Sequence, residues 1–502
     1  MEFGEFVTLP LIFTLLLFLF VTISLMKQYK FQQTQRLPLP PGPYKLPFIG
    51  HLHHLVGGIP HQILRDLAQK QGPLMYLKLG ELSAVVISSA SLAKQMMTTH
   101  DLKFADRPMN FTAETISYGY KDVIFSPYGA YWRQVRKICT VELLSAKRVK
   151  SLWSVREEEV LSFLARISLM AGSSMNLTQE IFALTKDITA RAAFGKTCKD
   201  KEELFSAIKD ITNLSSGFSV SDVFPSLKFL ELVTGNKRKL IRAQEKLDRM
   251  LSNVIREHRE KSKDESVMED LLDVLLRLQD QGGEFEFPIT IDNVKAITWD
   301  MFVAGTDTSS TLLDWTFVEL LRNPRIMEKA QAEVRNVFKR KNMIDEESMK
   351  EFKYLGLVIR EALRLHPPVP LLVPRECRER CEMEGYEIPK GTKVIVNAWA
   401  IGRDPDHWAD PQRFEPERFE DLSKEYNGTS FDYIPFGAGR RMCPGILFGI
   451  ANVEVPLAFL LYHFDWKLGN EIKPEELDMA EAISSVGRRT SDLYVIPTPY
   501  KS

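Results

Sequence analysis

Cysteine, net charge and internal repetition are all scarce in this chain. Its 502 residues include five cysteines, an odd number, and carry a formal net charge of −1. The scattered cysteines argue against a disulfide framework and indicate a reducing compartment. A net charge near zero does not indicate a nucleic-acid partner. No internal repeat or low-complexity tract appears, and no linker divides the chain after residue 60, so we expect one large domain.

One long apolar run is present, and it lies near the N-terminus. The stretch from Val7 to Met26 is 20 residues long and has no charge, which is enough to cross a bilayer as a helix. Acidic residues precede it and basic residues follow it, so the positive-inside rule places the bulk of the chain in the cytosol. These residues are Glu2 and Glu5 before the run, and Lys27, Lys30 and Arg36 after it.

The remaining sequence divides into a short hinge and a long helical part. A stiff proline-rich segment follows the apolar run and predicts a hinge. We therefore expect a membrane anchor in residues 1–30, a hinge and entry segment in residues 31–60, and the main domain in residues 61–502. Alternating residues predict a strand pair, Met75–Leu79 with Ala84–Ser88, and Cys381–Ile388 and Lys393–Ala398 are also strand-like. Helical periodicity covers Tyr131–Leu144, Val149–Met170, Glu202–Leu214, Lys237–Lys261, Met268–Leu278, Ile291–Arg322 and Arg325–Phe338. The expected fold is mainly α with small β-sheets.

A glycine-rich run near the C-terminus, Phe436 to Gly445, contains a single cysteine, Cys443. Pro444 suits the first position of a helix, which predicts that Cys443 lies at a helix N-terminus. Such a site favours negative charge and lowers the pKa of a thiol, and the thiolate is the form that binds metal. A thiolate on haem iron favours cleavage of the O–O bond. A small buried side chain or a phosphate-binding turn would also explain the run.

The long helix Ile291–Arg322 carries hydroxyl groups and an acid in its middle, within Ala304–Ser309. The Thr308 hydroxyl can bond back to the carbonyl of residue 304 and loosen the helix. Helical spacing places Met301, Ala304, Gly305 and Thr308 on one face. With Asp307 beside it, this face suits oxygen and a proton-relay water; the alternative is a buried Thr/Ser-rich helix with a tolerated glycine.

Several arginines form a third group of candidates. Glu361 and Arg364 lie three apart on one helix and face the same way, and Arg418 follows in an irregular stretch. A buried Glu–Arg–Arg cluster would be costly to break, whereas a surface ion pair contributes little. Arginine binds carboxylates well, and haem carries two propionates. The candidates for the propionates are Trp132, Arg136, Arg375 and Arg441.

Together these residues resemble the cytochrome P-450 superfamily of haem-thiolate monooxygenases. The cysteine run fits the family's Phe-x-x-Gly-x-Arg-x-Cys-x-Gly motif, Glu361–Arg364 its Glu-x-x-Arg motif, and Pro416–Phe419 its Pro-Glu-Arg-Phe motif. Ala304–Ser309 matches the oxygen-groove motif. The hinge and the sequences of several segments resemble those of plant microsomal members of the family. The resemblance is to terpenoid hydroxylases in particular, such as the limonene hydroxylases and premnaspirodiene oxygenase.

The resemblance implies a cytochrome P-450 fold and a role for each motif. Cys443 would be the axial thiolate of haem b in a loop containing Phe436 and Gly439, and Thr308 and Asp307 would supply protons during oxygen activation. The propionates would be held by Trp132, Arg136, Arg375 and Arg441, and the structural triad would be Glu361, Arg364 and Arg418. Substrate contacts expected from the family topology are Met301, Ala304, Val369, Val373, Ser485 and Val486, under a lid formed by Phe111 to Tyr120 and Leu214 to Phe224.

The implied reaction is hydroxylation of a small hydrophobic plant metabolite, above all a terpenoid, with O2 and NADPH. An indole alkaloid or flavonoid is the alternative substrate, and a haem-thiolate isomerase that needs no electron donor is a less favoured activity. Electrons would come from NADPH-cytochrome P-450 reductase, docked near Arg133, Arg136 and Lys137. The implied location is the endoplasmic reticulum membrane, spanned once in contact with lipid, with the haem-thiolate catalytic domain in the cytosol.

Overall fold

The computed structural model describes residues 14, 16–24, 37–195, 201–215, 220–230, 235–260, 269–282, 285–341, 344–420, 424–469 and 472–501. Residues 16–24 of the expected anchor are helical and largely exposed, and the rest of that run lies outside the described residues except for residue 14. Within the described ranges, one helix is long and apolar enough to cross a membrane, Ile446–His463, and 56% of it is buried inside the protein. That burial is typical of a core helix.

Seventeen α-helices from residue 60 onward make up most of the described chain. The first nine are α1 Pro60–Gln71, α2 Ala90–Met97, α3 Phe111–Ile116, α4 Ala130–Ile138, α5 Ala146–Ser151, α6 Trp153–Leu169, α7 Leu177–Phe194, α8 Lys201–Ser215 and α9 Val220–Val223. The remaining eight are α10 Asn236–Glu260, α11 Leu271–Gln281, α12 Ile291–Arg322, α13 Pro324–Arg340, α14 Glu346–Met349, α15 Lys353–Leu365, α16 Ala398–Ile401 and α17 Ile446–His463.

The strands of the described chain form three small sheets. The strands are β1 Leu74–Leu79, β2 Leu82–Ile87, β3 Met175–Asn176, β4 Arg375–Glu376, β5 Cys381–Met383, β6 Tyr386–Ile388, β7 Lys393–Val396, β8 Phe464–Leu468 and β9 Tyr494–Pro499. The first sheet has the order β1-β2-β7-β4, the second β3-β9-β8, and the third is the β5-β6 hairpin. In the first sheet β2 and β7 run parallel, and the remaining pairs are antiparallel. The expected mainly helical fold with small sheets is therefore confirmed.

The long helix α12 is the centre of the fold. A Thr290–Asn293 capping box begins it, and Asn323 ends it before Pro324, because a residue before proline avoids the helical region. Its C-terminal half is buried almost continuously, against α7 and α17 among other helices. This rigid axis positions one edge of the site described below.

Three predicted elements differ from the observed ones. The strand-like piece Cys381–Ile388 is two strands, because Glu384 and Gly385 adopt left-handed backbone conformations and make a turn between them. The expected helix Val149–Met170 is broken at Leu152. The expected helix Tyr131–Leu144 becomes a π-helical turn over Cys139–Leu143.

Candidate active site

The cysteine loop, residues 436–445, is a tight turn that ends at the start of α17. The Cys443 backbone N–H donates to the Phe436 carbonyl at 3.0 Å. Gly439 has φ +68°, and an added Cβ would lie 2.5 Å from the Met97 carbonyl oxygen and 2.9 Å from the Asp101 carboxylate. Only glycine fits so close an approach with that backbone conformation.

The start of α17 lies later than predicted. Gly445 is the N-cap and Ile446 the first helical residue, so Pro444 precedes the helix and is not its first residue. The Gly445 N–H donates to Cys443 Sγ at 3.4 Å. Desolvation around the sulfur raises the pKa of the Cys443 thiol, although the residue is exposed in the protein alone; this N–H and the Arg136 charge lower the pKa by less. The expectation of a lowered pKa is therefore wrong for the protein alone; a coordinated metal ion is what deprotonates such a thiol.

Three buried guanidiniums lie close together beside this loop: Arg107, Arg375 and Arg441. Burial lowers the pKa of all three, to about 10 for Arg441, and mutual repulsion lowers the pKa of Arg107 and Arg441 further. Arg441 Nη1 is buried without a hydrogen-bond partner among the described residues. Asp101 pairs with Arg375, and Asp122 acts favourably on the other two guanidiniums. The positive charge that remains suits further anionic partners such as haem propionates.

Arg107 is a residue that the sequence analysis missed. Its Nε donates to the Ile124 carbonyl at 3.0 Å, and its Nη1 donates to the carbonyls of Val373 and Pro374 at 2.5 and 2.9 Å. The guanidinium thus ties the loop after α3 to the segment after α15, which carries two of the predicted substrate contacts. No local sequence pattern indicated these contacts, since the accepting carbonyls lie 17 to 267 positions away along the chain.

The four predicted propionate ligands lie around the same region with different partners. Arg375 donates to Asp101 at 2.9 Å and to the Ala438 carbonyl at 2.7 Å, and the Trp132 indole N–H donates to the Val123 carbonyl at 3.0 Å. Arg441 donates to two carbonyls, at 2.6 and 2.7 Å, and stacks over the Trp132 ring. Arg136 is half-buried and acts electrostatically on the Cys443 thiol. Of these four residues, Arg441 has a buried Nη1 group without a hydrogen-bond partner among the described residues.

The predicted triad is assembled in the protein core. Arg364 donates two hydrogen bonds to the Glu361 carboxylate at 2.7 and 2.8 Å, and Arg418 Nε donates to the same carboxylate at 3.0 Å. The remaining Arg364 N–H groups donate to the carbonyls of Gly402, Pro411 and Arg413. Glu361 and Arg364 are fully buried, so this cluster fastens the irregular segment before the cysteine loop to α15.

The middle of α12 places a hydroxyl and an acid side by side. Thr308 Oγ1 donates to the Ala304 carbonyl at 2.5 Å, as the spacing predicted. Ala304 is exposed and Thr308 is partly exposed within a helix that is otherwise mostly buried, so both border an internal space. Asp307 pairs with Arg488 at 2.7 Å. Burial raises the pKa of Asp307, and Arg488 lowers it by less.

Gly305 does not line that space. An added Cβ would lie 3.1 Å from the Phe448 ring and 3.2 Å from the Thr189 methyl group. The glycine therefore allows α7 and α17 to pack tightly on α12. This corrects the expectation that Gly305 belongs to the face of α12 that suits oxygen; helix packing is the reason for the glycine.

The predicted substrate contacts come from three segments that meet over α12. The Gly487 N–H donates to the Pro368 carbonyl at 3.0 Å, and the Gly487 carbonyl accepts from the Trp315 indole at 2.6 Å. These bonds bring Ser485 and Val486 close to the turn that carries Val369 and Val373. Met301 and Ala304 lie on α12 itself, and Met301 packs partly on the core.

The expected lid is described in part. Helix α3 begins at Phe111, and three consecutive residues after it, Tyr118, Gly119 and Tyr120, have left-handed backbone conformations with φ of 54°, 76° and 63°. Within Leu214 to Phe224, residues 216–219 lie outside the described residues. Two tyrosines in a conformation that disfavours side chains mark a locally strained segment.

A cysteine thiol near the half-buried Arg136, with three buried arginines beside its loop and a partly exposed hydroxyl and acid on α12, fits a haem-thiolate site. The sequence model of the cytochrome P450 family matches residues 40–494. The chain belongs to that family. It is therefore a haem-thiolate monooxygenase. In such a protein the sulfur ligand donates electron density to the iron and favours cleavage of the O–O bond; here Cys443 would bind the iron, and Arg441, whose buried Nη1 has no partner among the described residues, would hold a propionate.

The chain is similar to several plant enzymes. The chain is 54% identical to desmethyl-deoxy-podophyllotoxin synthase of Sinopodophyllum hexandrum, covering 98% of this chain and 97% of the relative. It is 51% identical to premnaspirodiene oxygenase of Hyoscyamus muticus, covering 99% of both chains. A solved zebrafish cytochrome P-450 with progesterone has a TM-score of 0.76 at 25% identity, covering 88% of this chain and 100% of that one. The predicted fold and family are thereby confirmed.

Proposed function

We propose that the protein hydroxylates a hydrophobic plant specialised metabolite, above all a terpenoid, with O2 and electrons from NADPH. The overall reaction inserts one oxygen atom into a C–H bond, reduces the other to water, and oxidises NADPH to NADP+. The terpenoid assignment is supported by relatives such as premnaspirodiene oxygenase and, at 48% identity over 99% of both chains, 5-epiaristolochene 1,3-dihydroxylase of Nicotiana tabacum. The apolar character of the predicted contacts agrees with a greasy ligand.

The observation that carries the proposal is the pairing of Thr308 with Asp307 on the exposed part of α12. The Thr308 hydroxyl donates a hydrogen bond to the Ala304 carbonyl, which leaves its oxygen lone pairs free to accept a hydrogen bond. Asp307 is an acid one residue away whose charge is held by Arg488. A hydroxyl and a carboxylate in this arrangement can order a water and pass protons inward. An isomerase without an electron donor does not need such a relay.

The substrate class has a second candidate. The relative with 54% identity is named for a podophyllotoxin-type product, so relatives at similar identity have names from different chemical classes. An alkaloid or flavonoid remains the alternative, since the shape of the contact surface depends on many apolar side chains acting together.

We further propose that electrons arrive from NADPH-cytochrome P-450 reductase at the endoplasmic reticulum membrane. Arg133 and Lys137 project from α4 into solvent, whereas Arg136 turns inward toward the cysteine. Two exposed cations next to the cysteine loop suit an acidic redox partner. The apolar N-terminal run would anchor the chain, with lipid around it and the main domain in the cytosol.

The test uses yeast microsomes that contain the full chain with a plant reductase. We expect products heavier by one oxygen atom from at least one terpene in a panel of terpenes, flavonoids and alkaloids, and only when NADPH and reductase are present. The reduced carbon monoxide complex should have the thiolate-type spectrum, and Cys443→Ser should abolish it. Product without NADPH or reductase would contradict the monooxygenase proposal, and products from flavonoids or alkaloids alone would replace the terpenoid assignment.

A further inference from the structure

The C-terminal hairpin, residues 481–489, is a closed loop held at its base. Glu481 and Arg489 form a β-bridge, and the Ala482 N–H donates to the Arg488 carbonyl at 2.8 Å. Glu481 pairs with His61 of α1 at 2.6 Å, and both side chains are buried. The buried Arg489 lies 3.9 Å from Asp314 of α12. The base of the hairpin is therefore fixed on two sides.

The tip of the hairpin is much less enclosed than its base. Ile483 is 72% exposed, and Ser485, a predicted substrate contact, is exposed as well. Gly487 is bonded to the Pro368 carbonyl and to Trp315. The tip therefore projects over α12 beside the turn that carries the other predicted contacts.

Arg488 lies at the junction between tip and base and reaches α12. Its Nη2 is 2.7 Å from Asp307 Oδ1, with side-chain exposures of 37% for the arginine and 21% for the acid. The guanidinium also lies over the Phe182 ring of α7 at 4.7 Å. Its backbone N–H donates to the Val486 carbonyl at 2.8 Å, so the backbone conformation of the tip sets the position of the arginine.

We propose that Arg488 is a positioning residue that holds the Asp307 carboxylate for proton delivery and links that delivery to whatever contacts the hairpin tip. This inference rests on the proposed function, because it assumes that Asp307 belongs to the proton relay. A substrate that displaces Val486 would move the Arg488 backbone and therefore the ion pair. A compound that does not displace the hairpin tip would leave the ion pair between Arg488 and Asp307 unchanged.

The ion pair also sets the charge state of the acid. Arg488 is the charged partner of Asp307 on the hairpin side, and α7 contributes the uncharged Phe182 ring. Burial raises the pKa of Asp307, whereas Arg488 lowers it through its charge and its hydrogen bond. Replacing Arg488 with glutamine removes the charge, so the pKa of the acid rises and Asp307 binds a proton at higher pH.

The experiment compares wild type with R488Q, R488K, D307N, the D307N/R488Q double variant and the remote control R340Q in reductase-containing microsomes. Arg340 pairs with Glu351 on the surface. The readouts are peroxide released per NADPH, without substrate and with the panel compound that wild type hydroxylates best, and amide hydrogen exchange of residues 481–489 in substrate-free holoenzyme.

We expect R488Q to release about tenfold more peroxide per NADPH and to shift the acidic limb of product formation upward by about one pH unit. Hydrogen exchange at the hairpin should be about tenfold faster. R488K should recover most of both effects, R340Q should match wild type, and R488Q should add nothing to D307N because the arginine acts through the acid.

Two results would overturn the inference: a wild-type peroxide ratio and pH profile in R488Q, or a loss in the double variant equal to the product of the two single losses. Failure of the proposed function has a different signature. If wild type makes no product from the panel while substrate-free peroxide release still depends on Arg488 through Asp307, the positioning role is upheld and the monooxygenase assignment to those substrates is wrong.

Discussion

The cysteine loop and the C-terminal hairpin form opposite sides of one site, and they are held by different kinds of contact. The loop depends on buried groups with multiple partners: Asp101 accepts from Arg375 and from the Arg440 backbone N–H, at 2.9 and 2.8 Å. The hairpin depends on a few polar bonds and carries an exposed tip. Multiple buried bonds resist displacement, whereas a tip with few buried contacts can move at low cost. The segment predicted to bind haem is therefore the rigid one, and the segment predicted to contact substrates is the adaptable one.

The largest expected effect comes from breaking the anchorage of the cysteine side. Arg364→Ala leaves Glu361 buried beside Arg418 with half of its hydrogen bonds missing. We expect a loss of about 3–5 kcal/mol in stability, seen as a failure to accumulate haem-loaded protein in yeast. Lys329→Gln removes an exposed partner of Glu417 and serves as the control; equal yields for the two variants would show that the buried cluster is not an anchor.

A second prediction concerns the buried acid under the hairpin base. Asp314 accepts from Thr178 at 2.6 Å, and burial raises its pKa to about 6. Because the folded protein binds the proton more tightly than the unfolded chain, stability should fall as pH rises from about 4 to about 6. Asp314→Asn should remove this dependence, which amounts to at most about 3 kcal/mol. Thermal unfolding midpoints over that pH range test it, and parallel curves would contradict it.

The Thr308→Ala variant should lose activity without losing stability. The variant loses the hydroxyl but keeps the helix, since the donated bond is an extra one to the Ala304 carbonyl. Product per NADPH should fall by about 100-fold while peroxide rises, with the carbon monoxide spectrum and the unfolding midpoint unchanged. Ser310→Ala, which removes a hydroxyl that bonds back to Thr306 in the buried part of the same helix, is the matched control for losing a helical hydroxyl.

The smallest effect is expected at Arg441, where one of several cations is removed. Arg441→Leu relieves repulsion among the guanidiniums but deletes the buried free Nη1 group. We expect haem to dissociate about tenfold faster, measured by transfer to an apoprotein acceptor. Arg440→Leu changes the neighbouring, exposed arginine and should leave the rate unchanged. Equal rates for both variants would remove Arg441 from the propionate set.

Features confined to one segment could be predicted from the sequence, and features assembled across the chain could not. The Glu361–Arg364 spacing on one helix and the Thr308 bond to residue 304 follow from helical geometry alone. The role of Arg107 depends on a carbonyl 266 positions away, and no local pattern encodes that contact. Gly305 was misread for the same reason, because the atoms that require a glycine there belong to two other helices.

The arginine–acid link at the hairpin was equally hidden. Asp307 and Ser485 were both identified as site candidates, but nothing in their own segments indicates that Arg488 joins them. The pKa of Cys443 is raised, whereas the sequence predicted that it would be lowered. The cause is desolvation, which depends on every element packed around the sulfur.

The exposed tip on a fixed base makes residues 483–486 a self-contained target for directed evolution. Randomising those positions should redirect which carbon is oxidised, because His61 and Asp314 would hold the frame while the contact surface changes. Libraries that leave residues 487–489 untouched should retain efficient use of reducing equivalents, because Arg488 then keeps its contact with Asp307.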